Sequence, residues 1–238
     1  MSFSNKHVFF DLDRTLWDFD ANSKKALHQI FHNEKLNYHL DFEVFHRIYE
    51  QVNAQLWADY SKGKVTKNEL RTLRFLETLR KFKLADQKLS ERIGEAYIEL
   101  SPRQTQLFPG VLETLKELKN IGFQLHIITN GFQEVQFVKL ENSGLRDFFD
   151  VIVCSEFVGK NKPDPEIFHF AMKEAGTISN NSLMIGDDLR ADIFGSTRVG
   201  MEAILFDPHK KQKLEHQHVV HDLYEVVSLS IKLLSARI

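Results

Sequence analysis

The chain has 238 residues, of which 42% are hydrophobic and 27% are charged, and its formal net charge is -2 with a pI near 6.6. This composition is typical of a globular protein with a well-buried core, and it gives no indication of nucleic acid or an anionic membrane as a partner. The sequence contains no stretch of about 18 apolar residues, so we expect no membrane span. The first apolar run is too short for a secretory signal. The single cysteine, Cys154, fits a reducing compartment, so we expect a cytoplasmic location.

The first element along the chain is a buried-type strand that runs directly into acids. Residues 7–16 read HVFFDLDRTL, and Asp11 and Asp13 stand at the end of the apolar run. Ligand sites of parallel α/β sheets form at the carboxyl ends of the strands. The two carboxylates are therefore the first candidate site residues.

Residues 17–103 differ from the rest of the chain because every segment in this range has the hydrophobic periodicity of a helix and none resembles a strand. Apolar residues recur there at three- and four-residue intervals, as in amphipathic helices. The segments are DANSKKALHQIFHNEKLNY, DFEVFHRIYEQVNAQLWADY, TKNELRTLRFLETLRKF and KLSERIGEAYIELS. We interpret them as a helical insert at 17–103, with residues 1–16 and 104–238 forming an α/β core.

After residue 104 the pattern alternates between short apolar strands and helices. The strand-like runs are FQLHIIT (123–129), FDVIVCS (149–155), SLMIGD (182–187), MEAILFD (201–207) and HVVHDL (218–223). The helix-like runs between them include LRADIFGSTRVG (189–200). This alternation predicts an α/β fold with a Rossmann-like parallel sheet whose two faces are covered by helices.

Each predicted strand delivers a polar element to the same edge of that sheet. Besides the first acids, these are Thr129-Asn130, Lys162 on a loop, and Asp187-Asp188. Several carboxylates at one edge repel one another unless a cation lies among them. Mg²⁺, which prefers oxygen ligands and accompanies bound phosphate, is the expected ion.

These groups match the needs of phosphomonoester hydrolysis, which are a nucleophile, charge neutralisation and a proton donor for the leaving oxygen. One of the two first carboxylates can attack phosphorus while the other transfers a proton. Thr129, Asn130 and Lys162 would hold the phosphoryl oxygens.

The chain resembles the haloacid dehalogenase-like (HAD) superfamily of phosphohydrolases over nearly its whole length. The motifs that carry the resemblance are DLDRT with Asp11, Asp13 and Thr15, IITNG with Thr129 and Asn130, KPDPEIF with Lys162, and IGDDLRAD with Asp187, Asp188 and Asp192. The resemblance implies that Asp11 is the nucleophile, Asp13 the general acid/base and Lys162 a further catalytic residue. It also implies Mg²⁺ ligands from Asp11, the backbone carbonyl of Asp13, and Asp187.

The same resemblance assigns supporting roles and a cap. Thr15 and either Asp188 or Asp192 would support the metal, and the helical insert would be the family's cap domain. Lys160 competes with Lys162, although Lys162 is preferred because a proline follows it.

The substrate indicated by the resemblance is a small phosphorylated metabolite. The segment LWDFDANS (16–23) resembles the 5'-nucleotidase branch, whose substrates are nucleoside monophosphates. Under this interpretation Trp17, Phe19 or Trp57 would stack on a base. The alternatives are a phosphoglycolate or sugar phosphatase, a phosphomutase, which shares the acyl-phosphate step, a metal-free 2-haloacid dehalogenase, and a non-catalytic phosphate-binding protein. Asp13 and the acid-rich fourth motif favour phosphate chemistry over dehalogenation.

Overall fold

In a computed structural model, which describes residues 3, 5–210 and 218–235, the chain forms two compact units. One unit comprises Met1–Phe19 and Thr105–Ile238, and the other comprises Asp20–Gln104. The predicted core segment 104–238 also includes residues 211–217 and 236–238, which lie outside the described residues.

The first unit is built on a six-stranded parallel sheet. Its strands are β1 (His7–Phe10), β2 (Gln124–Thr129), β3 (Val151–Cys154), β4 (Ser182–Gly186), β5 (Glu202–Phe206) and β6 (Val219–Val220). Their order is β3-β2-β1-β4-β5-β6, so the first strand of the chain lies inside the sheet between β2 and β4. The predicted α/β fold with a Rossmann-like parallel sheet is confirmed.

Both faces of the sheet are buried, which explains why its strands are continuous apolar runs. Successive side chains of a strand point to opposite faces. Val8 and Phe10 accordingly belong to one apolar cluster, whereas Phe9 belongs to the other. Helices cover these faces: α5 (Val111–Ile121), α6 (Gln133–Asn142), α7 (Ser155–Val158), α8 (Pro165–Glu174), α9 (Gly195–Arg198) and α10 (Tyr224–Ser235).

The segment after β4 is not the continuous α-helix that the pattern at 189–200 predicts. It is a π-helix over Leu189–Phe194, followed by the short helix α9. The backbone N–H groups of Asp192 and Ile193 both donate to the carbonyl of Asp188, at 2.9 and 3.3 Å. Wider turns of this kind occur frequently at functional sites, and here the turn carries Asp192.

The second unit consists of helices α1 (Phe19–Asn33), α2 (Phe42–Tyr60), α3 (Lys67–Lys81) and α4 (Gln87–Leu100), the first residue of α1 belonging to the other unit. An aromatic-rich cluster that includes Phe31, Phe45, Tyr49 and Phe75 fills its interior. Among the helices that the structure describes, none has the length and apolar character needed to cross a membrane.

Candidate active site

The chain coils immediately after β1, and this coil presents the first acids. The carbonyl of Leu12 accepts hydrogen bonds from the backbone N–H groups of Leu16 (3.0 Å) and Trp17 (2.9 Å). Arg14 completes the turn with a φ of 67°, a left-handed conformation that is uncommon for residues other than glycine. Asp11 is thereby left at the carboxyl end of the central strand.

Three carboxylates from different parts of the chain meet at this edge of the sheet. Oxygen atoms of Asp11, Asp187 and Asp192 all lie within 4.8 Å of one another. Asp187 directly follows β4, and Asp192 lies on the π-helix. Thr15 is fully buried beside them, and its hydroxyl is 3.4 Å from Asp11 Oδ2 and 3.5 Å from Asp187 Oδ1.

Asp188 has a different role from its neighbours. Its Oδ1 accepts hydrogen bonds from the backbone N–H groups of Arg190 and Ala191, both at 2.8 Å, and so caps the start of the π-helix. Asp192 Oδ2 in turn accepts from the backbone N–H of Asp188 at 3.0 Å. Of the two residues left open by the sequence, Asp192 is the one within the acid cluster.

Lys162 brings a buried ammonium group to the cluster. Its ammonium group donates hydrogen bonds to Asp11 Oδ1 and to the carbonyl of Ile128, each at 2.7 Å, and it lies 2.6 Å from Asp192 Oδ1 as an ion pair. Lys160, the competing residue, pairs instead with Asp164 and Glu166 on the surface. The structure therefore brings Lys162, and not Lys160, to the acids.

Thr129 and Asn130 lie at the end of β2, beside the loop that carries Lys162. The Asn130 side chain accepts from the Lys162 backbone N–H at 2.8 Å and donates to the Lys162 carbonyl at 3.1 Å. Thr129 Oγ1 accepts from the backbone N–H of Gly131 at 3.1 Å. Asn130 thus fixes the backbone that positions Lys162, a role that the motif alone does not indicate.

The side chain of Asp13 contacts two residues that the sequence did not single out. Gln136 Nε2 donates to Asp13 Oδ2 at 2.8 Å, and Lys139 Nζ donates to Asp13 Oδ1 at 2.5 Å. Both partners lie on α6, three positions apart and therefore on one face of the helix. A Gln-x-x-Lys spacing after the second motif is the only signal for them in the sequence, and it is common in any helix.

Burial and mutual repulsion control the ionisation of the acid cluster. Burial, together with the charge of Asp192, raises the pKa of Asp11 to about 7 although Lys162 opposes the shift. Burial and the charges of Asp11 and Asp192 raise the pKa of Asp187 to about 8. Burial lowers the pKa of Lys162, but Asp11 and Asp192 outweigh it and raise that pKa above its ordinary value.

The cluster suits a hard divalent cation. The three carboxylates repel one another, and even with Lys162 beside Asp11 and Asp192 the pKa values of Asp11 and Asp187 remain raised. Carboxylate oxygens are the ligands that Mg²⁺ prefers, and an added cation offsets the remaining repulsion. The residues present therefore fit Mg²⁺.

Trp17 does not act as the base-stacking residue that the sequence interpretation allowed. Its side chain is 0% exposed and belongs to the main apolar cluster of the first unit. The Lys139 ammonium lies 4.2 Å from the centre of its ring. Because the ring has no face available to a ligand, Trp17 is a packing residue.

Comparison with known proteins defines the class of the molecule. The sequence profile described as haloacid dehalogenase-like hydrolase matches residues 8–206. The chain belongs to this family of hydrolases.

Individual relatives narrow the class further. The chain is 36% identical over 211 residues to the pyrimidine 5'-nucleotidase YjjG of Escherichia coli (strain K12), covering 87% of this chain and 88% of that protein. It is 32% identical over 224 residues to the pyrimidine 5'-nucleotidase PynA of Streptococcus pneumoniae (strain ATCC BAA-255 / R6), with 94% and 91% covered. The crystal structure of the HAD-hydrolase YfnB from Bacillus subtilis, bound to magnesium, superposes with a TM-score of 0.84 at 28% identity, covering 95% of this chain and 98% of that one.

These matches confirm the resemblance drawn from the four motifs. They also confirm the prediction of an enzyme of the phosphatase class, similar to the 5'-nucleotidases.

Proposed function

We propose that the chain is a Mg²⁺-dependent phosphomonoester hydrolase that forms an aspartyl-phosphate on Asp11 and acts on pyrimidine nucleoside 5'-monophosphates. The observation that carries the proposal is the meeting of Asp11, Asp187 and Asp192 within 4.8 Å, with Lys162 bonded to Asp11. The names of the two nucleotidase relatives support the substrate class.

In the first half-reaction, a carboxylate oxygen of Asp11 forms a bond to phosphorus while the bond from phosphorus to the leaving oxygen breaks. The Asp13 carboxyl group gives its proton to that oxygen, so that the nucleoside departs as a neutral alcohol. Lys162 holds Asp11 in place through its hydrogen bond to Oδ1, and its charge stabilises the negative charge of the phosphoryl group.

In the second half-reaction, the Asp13 carboxylate takes a proton from water, and the water oxygen attacks phosphorus. The bond from phosphorus to Asp11 breaks, which releases inorganic phosphate and restores both aspartates. Asp11, Asp187 and the backbone carbonyl of Asp13 would hold Mg²⁺, with Asp192 and Thr15 supporting them. When bound, Mg²⁺ neutralises phosphoryl charge and orients the phosphate.

Two further parts of the proposal rest on sequence and resemblance. The helical unit Asp20–Gln104 would act as a cap that excludes water during the reaction. The proposal includes a cytoplasmic location, which the single cysteine supports, and no nucleic acid or membrane partner.

The test is phosphate release from a panel of monophosphates in the presence of Mg²⁺. The panel contains pyrimidine and purine nucleoside 5'-monophosphates, phosphoglycolate, sugar phosphates and p-nitrophenyl phosphate, compared by kcat/KM. We expect the pyrimidine nucleotides to rank first, and Asp11→Asn to lower kcat by about 10³-fold or more. Rapid acid quench of the wild type should trap a hydroxylamine-sensitive phosphoenzyme that Asp11→Asn lacks.

Other outcomes would contradict the proposal in distinct ways. Equal kcat/KM values across the panel would remove the nucleotide preference but keep the phosphatase. Binding of inorganic phosphate without turnover of any monophosphate would indicate a phosphate-binding protein. Halide release from a 2-haloacid without metal would indicate a dehalogenase.

A further inference from the structure

The Asp13 carboxylate is held at both of its oxygens by one helix. Gln136 donates to Oδ2 at 2.8 Å and Lys139 donates to Oδ1 at 2.5 Å. Gln136 is 1% exposed and Lys139 is 3% exposed, while the Asp13 side chain is 23% exposed, so solvent screens the Lys139–Asp13 ion pair less than a pair on the surface. The orientation of Asp13 is consequently set by two enclosed donors.

Lys139 is itself held in place from the other side. Its ammonium group lies 4.2 Å from the ring centre of Trp17 and 5.4 Å from that of Phe19. Aromatic faces attract cations over such distances, most strongly where water is excluded. Lys139 therefore has a fixed position between the rings of Trp17 and Phe19 and the carboxylate of Asp13.

The backbone next to α6 is also adapted to this arrangement. Gly131 follows Asn130 in the second motif, and a Cβ atom at this position would overlap the side-chain amide of Gln136. Only glycine leaves the space in which Gln136 reaches Asp13. Residues from three parts of the chain thus fix a single carboxylate.

We propose that Gln136 and Lys139 are positioning residues for Asp13, and that they hold its carboxyl group where it can transfer a proton to and from the reacting oxygen. The proposal rests on the proposed function, in which Asp13 is the general acid/base. It predicts that loss of either residue impairs the steps that need proton transfer and spares those that do not.

The choice of substrate separates positioning from a merely structural role. A nucleoside leaves as a poorly stabilised alkoxide and needs a proton, whereas p-nitrophenolate leaves without one. The measured quantity is the single-turnover rate of phosphoenzyme formation, because in this half-reaction Asp13 acts as an acid and not also as a base. Each variant is assayed with a pyrimidine nucleoside 5'-monophosphate and with p-nitrophenyl phosphate.

Lys139→Met removes the ammonium group and keeps most of the buried volume. We expect phosphoenzyme formation from the nucleotide to fall by about 10²-fold, and formation from p-nitrophenyl phosphate by less than about threefold. Lys139→Arg, which retains a donor and a charge, should recover part of the loss with the nucleotide. Lys119→Met, which removes a lysine on α5 that pairs with Asp150, should match the wild type with both substrates.

Gln136→Met provides an independent variant should Lys139→Met fail to fold. It removes one of the two donors, and we expect a loss of about tenfold that is again confined to the nucleotide. An equal loss with both substrates in every folded variant, or no loss at all, would overturn the proposal.

The same rates measured for Asp13→Asn and for the wild type show whether a negative result contradicts this proposal alone or the proposed function as well. If Asp13→Asn shows the loss confined to the nucleotide and the Lys139 and Gln136 variants do not, only the positioning role is wrong. If the wild type forms no phosphoenzyme from either substrate, the proposed function and this proposal are both wrong.

Discussion

Lys162 Nζ lies 2.6 Å from Asp192 Oδ1, and both side chains are 2% exposed. The same ammonium group donates to Asp11 Oδ1, so one buried cation joins a strand-end acid to an acid of the π-helix. Removing one partner of a buried ion pair is strongly destabilising because the other charge is left uncompensated.

Lys162→Met should therefore affect both activity and stability. We expect kcat to fall by about 10²-fold or more, since a charged group beside the reacting atoms is lost, and the free energy of unfolding to fall by about 3 kcal/mol. Kinetics and urea denaturation measure the two effects. Lys160→Met is the matched control, because Lys160 pairs with Asp164 and Glu166 on the surface, and near-normal activity in Lys162→Met would contradict the assignment.

Magnesium should stabilise the protein more at pH 8.5 than at pH 6. Burial and neighbouring acids raise the pKa of Asp11 to about 7 and that of Asp187 to about 8. Protons therefore compete with the cation at the lower pH. At about one hundred times the dissociation constant, the expected gain is about 2.7 kcal/mol, measured as the thermal shift between Mg²⁺ and EDTA at each pH.

Two adjacent aspartates allow a control on this shift. Asp187→Asn should abolish most of the stabilisation by Mg²⁺, since Asp187 belongs to the acid cluster. Asp188→Asn should retain it, because asparagine also caps helices well and Asp188 contacts backbone N–H groups. The reverse order of the two variants would assign the metal to Asp188.

Asn130→Ala should weaken the loop that carries Lys162. The variant loses the two hydrogen bonds between the Asn130 side chain and the Lys162 backbone, and we expect the free energy of unfolding to fall by about 1–3 kcal/mol. Asn142→Ala loses a single exposed hydrogen bond to Val138 and serves as the control. Unchanged stability together with a raised KM would instead indicate that Asn130 contacts only the substrate.

A pair of histidines buried in the sheet should make stability depend on pH. His7 Nδ1 and His126 Nε2 lie 2.9 Å apart on the adjacent strands β1 and β2. Burial, together with the charge of His7, lowers the pKa of His126 to about 4. The unfolded chain then binds more protons than the folded chain between about pH 6.5 and pH 4, so stability is lost as the pH falls through this window.

The acid cluster acts in the opposite direction, because carboxyl groups with raised pKa values stabilise the fold as the pH falls. The comparison of His126→Gln with the wild type cancels this contribution. We expect the difference in unfolding free energy between them to shift in favour of the variant by on the order of 3 kcal/mol between pH 7.5 and pH 4. A constant difference in urea denaturation across this range would rule out the effect.

The sequence predicts the strand-end acids well because the carboxyl ends of parallel strands meet at one edge. Asp11 and Asp187 follow β1 and β4, which pair directly in the sheet. Their convergence is thus a consequence of topology, and short apolar runs are sufficient to predict it.

The sequence does not predict which helix side chains reach the site, because this depends on local helix geometry and not on the topology of the sheet. Asp188 and Asp192 lie one turn apart, and the π-helix decides which of them reaches the cluster. Gln136 and Lys139 belong to an ordinary amphipathic pattern, so nothing distinguishes them until α6 is placed beside the coil after β1. Trp17 resembles an exposed binding residue by position, but its neighbours cover it completely.

The interior place of β1 in the sheet has a consequence for synthesis on the ribosome. His7 pairs with Gln124 on one side and with Ser182 on the other. Because β1 is synthesised before both partner strands, its apolar side chains stay exposed until β4 has been translated. Contacts between segments so distant in sequence form slowly, and nascent chains halted before residue 182 should depend on chaperones that bind exposed apolar segments.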